Sequence, residues 1–295
     1  MRLEQAGPYR IVRPAAAAVW QPSLDHSEWD CSDVSFHRTG GDANQARGEW
    51  QFRNSKAKTL LSQPWRIEFN PISLFLKLTS FGHLGLFAEQ EKNWRKIHEM
   101  IAARKTASPN SPVRVLNLFA YTGAATLHAA HAGAEVLHLD ASKGTVKWAR
   151  DNAEASNLTH CPIRWIVDDA QEFVERELRR GQRYHGVLLD PPSYGRGNNG
   201  QIWKIEEHLL PLLKKVSALL EDDFLFVLLS SHSPGYTPIS LRNILEQILN
   251  SAHSRDEKFH MTVQNGQYTA AEMVILDSTG KPLPSGADCL FLSRA

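Results

Sequence analysis

The stretch from Val113 to Ser142, VRVLNLFAYTGAATLHAAHAGAEVLHLDAS, constrains this chain more than any other part of it. Val113–Phe119 is a short apolar run rich in bulky and β-branched residues, the pattern of a strand buried on both faces. It breaks at Ala120-Tyr121-Thr122-Gly123 and gives way to an alanine-rich segment of high helix propensity that ends near Gly133. A second apolar run, Glu135–Leu139, reads as another strand, with Asp140 just past its end. Strand, glycine-containing turn, helix, strand and acid make the first βαβ unit of a doubly wound α/β sheet. Such sheets bind ligands beyond the carboxyl ends of their strands.

The residue types at that corner say what it can hold. Gly123 lets backbone approach a ligand closely, and the helix that starts there offers free N–H groups to a negative group. Asp140 can accept hydrogen bonds from two ribose hydroxyls. A nicotinamide-binding turn needs G-x-G-x-x-G and a phosphate loop needs G-x-x-x-x-G-K-[ST]; here Gly123 stands alone. The corner suits a nucleoside without a pyrophosphate, which counts against a nicotinamide oxidoreductase.

LNLFAYTG followed by EVLHLDAS resembles motifs I and II of class I S-adenosylmethionine-dependent methyltransferases. The likeness is nearest to the branch related to bacterial large-subunit rRNA cytosine-C5 and guanine-N2 methyltransferases. It runs over roughly 82–295 and continues in order through DNAEASNL, IVDDAQEF and LLDPPSYGRG. The resemblance implies a Rossmann-like, doubly wound, seven-stranded sheet, with S-adenosyl-L-methionine as cofactor and RNA, rRNA foremost, as methyl acceptor. It also implies a cofactor site of Phe87, Gln90, Phe119, Ala120, Tyr121, Thr122, Gly123, Asp140, Ala141, Ser142, Asn152, Asp169 and Asp190. Asp190, Pro191 and Tyr194 are the implied catalytic residues.

Composition sets looser bounds. The 295 residues, 42% of them apolar, suffice for one large core and a small extra domain. A net charge of +1 gives no global electrostatic footprint for nucleic acid, and no RNA-binding module is recognisable. A protein side chain or small molecule therefore stays open as acceptor, as does a noncatalytic cofactor-binding module. Cys31, Cys161 and Cys289 have neither zinc spacing nor an even framework, so no metal is expected. No signal pattern and no run of 18 apolar residues is found, and the expected compartment is the cytoplasm, without a membrane partner.

Three regions are expected: a small β-containing region over 1–80, an opening motif with helix and linker over 81–112, and the methyltransferase domain over 113–295. In the first, Tyr9–Val12, Ala15–Trp20, Trp50–Phe52 and Trp65–Phe69 are short apolar or aromatic pieces, and the polar Asp25–Gly48 reads as a long loop. Trp20, Trp29, Trp50 and Trp65 form either a base-stacking surface or, more in keeping with burial habits, a small core. Phe87, Trp94, Ile97 and Ile101 recur at helical spacing, and Trp94 reads as packing.

Farther on, Asn152 is either a loop-orienting residue or a surface polar one. Asp169, by the resemblance, lies near the adenine amine, whereas Asp168 reads as a helix cap. In Asp190-Pro191-Pro192-Ser193-Tyr194 the prolines fix the backbone after a fourth strand, leaving outward carbonyls and a carboxylate to hold an exocyclic amine. Tyr194 can stack on the acceptor base. Gly195–Gly200 reads as a flexible loop carrying Arg196, a candidate substrate contact. Ile202–Leu220 reads as a helix and Phe224–Leu229 as the fifth strand. The turn after it, Ser230-Ser231-His232-Ser233-Pro234-Gly235, lacks the cysteine that the cytosine-C5 enzymes carry there. Carbon-5 of cytosine needs a thiolate on C6, so nitrogen methylation is favoured. His232 is a base or a histidine satisfied by its turn.

Overall fold

The computed structural model describes residues 1–39, 48–197, 200–251 and 255–294. The chain forms two compact units, Met1–Phe87 with Leu276–Pro284, and Ala88–Ile275 with Ser285–Ala295. The division falls past the expected boundary at 80, and the return of 276–284 to the first unit has no counterpart in the sequence reading.

The first unit is built from β1 (Arg2–Ala6), β2 (Tyr9–Arg13), α1 (His26–Asp30), β3 (Val34–Arg38), β4 (Gly48–Phe52), α2 (Ser55–Leu61), β5 (Trp65–Phe69) and β6 (Ile72–Leu76). β1 to β4 form a sheet in chain order, with β2 and β3 parallel, and β5 pairs β6 separately. The expected loop over Asp25–Gly48 thus contains α1 and β3, while 40–47 lie outside the described residues. Val34-Ser35-Phe36-His37 alternates as a half-buried strand does, but its partners lie on β2 and β4, which no local pattern announces. Ala15–Trp20 is no strand. Trp65 is buried among Ala6, Ile11, Val34, Leu61 and Leu76 with Trp50 packed beside them, so these two belong to the core. Trp20 is exposed under the Lys281 ammonium.

In the second unit α3 (Glu91–Ala107) precedes β7 (Arg114–Leu118), α4 (Ala124–His131), β8 (Glu135–Asp140), α5 (Lys143–Ala155), β9 (Ile163–Val167), α6 (Ala170–Arg179) and β10 (Gly186–Leu189). A hairpin of β11 (Tyr194–Arg196) and β12 (Ile202–Lys204) follows, then α7 (Ile205–Ser217), β13 (Phe226–Ser231), α8 (Pro238–Asn250), α9 (Glu257–Asn265), β14 (Gln267–Leu276) and β15 (Pro282–Leu292). The seven-stranded sheet has the order β14-β15-β13-β10-β7-β8-β9. Its five strands from β13 to β9 pair in parallel, and β15 runs antiparallel to β13.

Burial explains the apolar strands. Along β7, Leu116 and Leu118 join the core under α6, α7 and α8, whereas Val115, with Val113 just before the strand, joins the opposite core with Ile97 and Ile101 of α3. Polar N-caps start several helices: Ser142 accepts from Thr145 N, and Thr237 from Ser240 N with Pro238 following it. The order reverses between β7 and β10, so the ends of these strands open the crevice in which such sheets bind ligands.

Two expectations change here. Gly195 and Arg196 lie in β11, paired to Trp203 and Ile202, rather than in a flexible loop; Asn198 and Asn199 lie outside the described residues. The helix expected over 202–220 begins only at Ile205, because Ile202–Lys204 is spent on that hairpin.

Candidate active site

The first part of the site is the turn between β7 and α4. Phe119 (φ 56°), Tyr121 (φ 50°) and Gly123 (φ 88°) all lie in the left-handed region, alternating with Ala120 and Thr122. Two of the three are not glycine, so the turn carries strain that its surroundings must hold. The holding is visible: Ala120 N donates to Leu139 O (2.9 Å), and Tyr121 N donates to Asp140 Oδ2 (3.0 Å). Asn152 Nδ2 donates to Thr122 O (2.9 Å). Asn152 is 0% exposed, so the surface-polar alternative is wrong, and it fastens the turn from α5. A Cβ on Gly123 would sit 3.0 Å from Ala149 Cβ, which adds crowding to its left-handed φ.

Asp140, at the end of β8, accepts one backbone N–H on each oxygen, from Tyr121 and from Ser142 (2.9 Å). Burial raises its pKa, and those two N–H groups pull the other way. A carboxylate has about four lone-pair positions, so donors such as a ribose diol still find acceptors here. Asp140 and the left-handed turn thus fit a nucleoside cofactor.

Behind the turn runs a buried polar chain: Asn117 Nδ2 donates to Thr126 Oγ1 (2.9 Å), which meets His138 Nδ1 (2.9 Å). Burial pushes His138 down to about 3 and His128 to about 4. His128 stacks on Trp94, which is buried as packing predicts.

Asp169, expected near an adenine amine, is the N-cap of α6, its Oδ1 accepting from Gln171 N (2.9 Å) and Glu172 N (3.1 Å). The cap assigned to Asp168 is therefore corrected. Asp168 instead pairs with Arg176 and accepts from Asp169 N. One position decides the matter, since only the residue directly before the first helical residue reaches the second and third N–H groups.

The second part is the turn after β10. Asp190 Oδ2 accepts from Gln90 Nε2 (3.2 Å), and His232 Nδ1 lies 3.6 Å from Asp190 Oδ1. His232 Nε2 meets Glu89 Oε1 at 3.2 Å. Gln90 Nε2 also donates to Ser230 Oγ (2.9 Å), and Ser193 Oγ lies 2.6 Å from Ser233 Oγ. The turn after β13 therefore braces the turn after β10. Gly286, from β15, approaches so closely that a Cβ there would lie 3.0 Å from Ser231 O and 3.2 Å from His232 Cδ2.

The expectation that both prolines present open carbonyls needs correction. Pro192 O accepts from Trp203 Nε1 (2.6 Å), and the same indole packs on Phe119, ring centroids 4.9 Å apart. Tyr194 is 50% exposed on the hairpin, and its hydroxyl accepts from Arg196 Nε (3.1 Å), two residues on along the same strand face. Phe87 ends the first segment of the other unit, where its ring meets His83 edge-on. Cys289 is buried inside β15, and burial raises its thiol to about 12, so it offers no thiolate. Among the described residues no cluster of His, Cys, Asp or Glu suits a metal ion, and no helix is long and apolar enough to cross a membrane.

Sequence reasoning passed over Trp203, Asn93, Ser230 and Asp288. An aromatic at 203 inside an expected helix reads as core, and the other three sit in elements whose neighbours are distant in sequence.

A doubly wound sheet with an acid after its second strand and a proline-braced carboxylate after its fourth is the class I methyltransferase arrangement that the motifs resemble. The chain belongs to the S-adenosylmethionine-dependent methyltransferase family, whose family model matches residues 48–229. The crystal structure of the SAM-dependent methyltransferase from Agrobacterium tumefaciens is 32% identical, with 99% of this chain and 87% of that chain covered and a TM-score of 0.84. Ribosomal RNA large subunit methyltransferase I of Aeromonas salmonicida is 27% identical over 45% of this chain and 32% of its own length. Ribosomal RNA large subunit methyltransferase K/L of Pseudoalteromonas translucida is 27% identical over 50% of this chain and 22% of its own. The chain thus spans less than half the length of these curated relatives.

Proposed function

We propose that this protein transfers a methyl group from S-adenosylmethionine to a nitrogen of a nucleobase in RNA, with large-subunit rRNA the leading acceptor. The observation that carries the reading is Asp190, set at the end of β10 and contacted on separate oxygens by Gln90 and His232, with no thiol in the facing serine-rich turn. The cofactor supplies a methyl on a sulfonium, an electrophile that needs only a well-aimed nucleophile. Asp140 accepts from the ribose, and the Phe119–Gly123 turn, with Asn152 fastening it, sets the N-terminus of α4 toward the carboxylate end. Ala141 and Ser142 continue the rim beside Asp140. Asp169 caps α6 through one oxygen and can accept from the adenine amine through the other.

Asp190 accepts from an exocyclic amine and so points the nitrogen lone pair, while Pro191 holds the carboxylate's backbone rigid. Tyr194 stacks on the acceptor base. Without a thiolate to add to C6, cytosine C5 is not activated. The relatives named for rRNA methylation support the choice of acceptor class. The test is incubation with radiolabelled S-adenosylmethionine and total RNA, proteome or metabolite extract from a host lacking this protein. Label in large-subunit rRNA, with the methyl on a base nitrogen by nucleoside mass spectrometry, is expected; label only in protein or metabolites overturns the RNA reading.

A further inference from the structure

The Gln90 amide can meet Asp190 with either end, and only one end is useful. Its NH₂ donates to the carboxylate, while its carbonyl would repel it. What fixes the end is a chain of side chains with one direction. Asp288 on β15 is 7% exposed, and Asn93 Nδ2 donates to its Oδ2 (2.9 Å). The same Asn93 Nδ2 donates to Gln90 Oε1 (3.0 Å), and Gln90 Nε2 then donates to Ser230 Oγ and Asp190 Oδ2. Asn93 and Gln90 are each about as buried as Asp288.

An ionised carboxylate only accepts, so it forces the Asn93 nitrogen toward itself. That nitrogen in turn forces the Gln90 oxygen toward Asn93 and its nitrogen toward Asp190. Burial raises the Asp288 pKa, while the Asn93 amide and the charges of Lys92 and Lys96 on α3 act to keep it ionised.

We infer that Asp288 and Asn93 are positioning residues for methyl transfer. They set the orientation of the Gln90 amide and through it the Asp190 carboxylate, without touching cofactor or acceptor. The inference rests on the reading of Asp190 as the acceptor-holding group.

The polarity of the chain gives it a test that a merely structural role does not pass. In Asp288→Asn, the amide that replaces the carboxylate can present either end, so both directions are populated. In the swap Asp288→Asn with Asn93→Asp, the donor and acceptor are exchanged. The bond between positions 93 and 288 is restored, but the carboxylate on α3 takes the Gln90 nitrogen and turns its oxygen toward Asp190. Both variants are measured for thermal stability, for S-adenosylmethionine affinity by calorimetry, for transfer to RNA from a host lacking the protein, and for the Gln90 side-chain NH₂ resonance.

The expected result is cofactor affinity within about twofold of wild type in both, with kcat down severalfold in the single variant. In the swap, kcat falls by tenfold or more although stability recovers, and the Gln90 NH₂ signal moves. If the swap restores kcat together with stability, or the Gln90 signal stays in place in both variants, the inference fails. Should wild type label no RNA, the proposed function fails by itself, and the Gln90 resonance still decides the direction of the chain.

Discussion

The two halves of the candidate site are held in different ways. The proposed cofactor corner is closed by backbone N–H donors inside one βαβ unit, Ala120 on Leu139 O and Tyr121 and Ser142 on the Asp140 carboxylate, with Asn152 of α5 added. The proposed acceptor turn is closed by side chains, Trp203 from the adjoining hairpin and, from farther along the chain, Gln90 just before α3 and His232 and Ser233 of the turn after β13. A corner held by its own backbone depends on a few local residues. A turn held by distant side chains can be detuned from many places without unfolding.

Four experiments probe that contrast. The largest effect is expected from acid. His128 and His138 have folded pKa values pushed below the ordinary 6.5, to about 4 and about 3, so the folded state resists protons that the unfolded chain accepts. Their contribution is complete above 6.5 and is lost as pH falls from there toward the folded values, at about 1.4 kcal/mol per unit for each. Denaturant unfolding at pH 7, 6 and 5 should therefore show a loss approaching about 3 kcal/mol per unit, and His138→Asn should flatten the slope by about half. An equal slope in that variant would remove the buried chain behind the turn from the account.

Next comes Asp140→Ala. It removes the proposed acceptor for the ribose and strands two backbone N–H groups, so calorimetry should show cofactor affinity down at least a hundredfold, about 3 kcal/mol. Asp190→Ala should do the reverse, leaving affinity within a few-fold and lowering kcat about a hundredfold. A variant that loses both together would mean the two corners are not separable. The smallest effect belongs to Trp203→Phe, which keeps the ring on Phe119 and deletes only the N–H to Pro192. About 1 kcal/mol of stability and a severalfold loss of kcat are expected, from thermal unfolding and steady-state rates.

The same contrast decides what could be read from sequence. Strand, turn, helix, strand and Asp140 are neighbours along the chain, so their residue types reveal the corner directly. Asn117, Thr126 and His138 were legible only as core positions, since their hydrogen bonds depend on register between β7 and β8. The acceptor turn announced itself through Asp190-Pro191-Pro192, yet the fate of the Pro192 carbonyl depended on a tryptophan inside what reads as a helix. In the N-terminal unit β3 pairs on both edges with strands whose contacts a local pattern does not encode. The two acids at 168 and 169 show the finest limit: both suit a cap, and only the backbone start of α6 chooses between them.

The place of β15 bears on how the protein is made. It carries Asp288, lies between β13 and β14, and starts inside Leu276–Pro284, the segment that belongs to the N-terminal unit. Asn93 and Asp288 stand 195 residues apart, and contacts of such separation form late. On a ribosome emitting this chain, the residues that close the Asp140 corner, the last of them Asn152, all emerge well before Asp288. The side chains that orient Gln90 must wait for Asp288, so the residues that close the proposed donor corner are made before those that aim the acceptor turn.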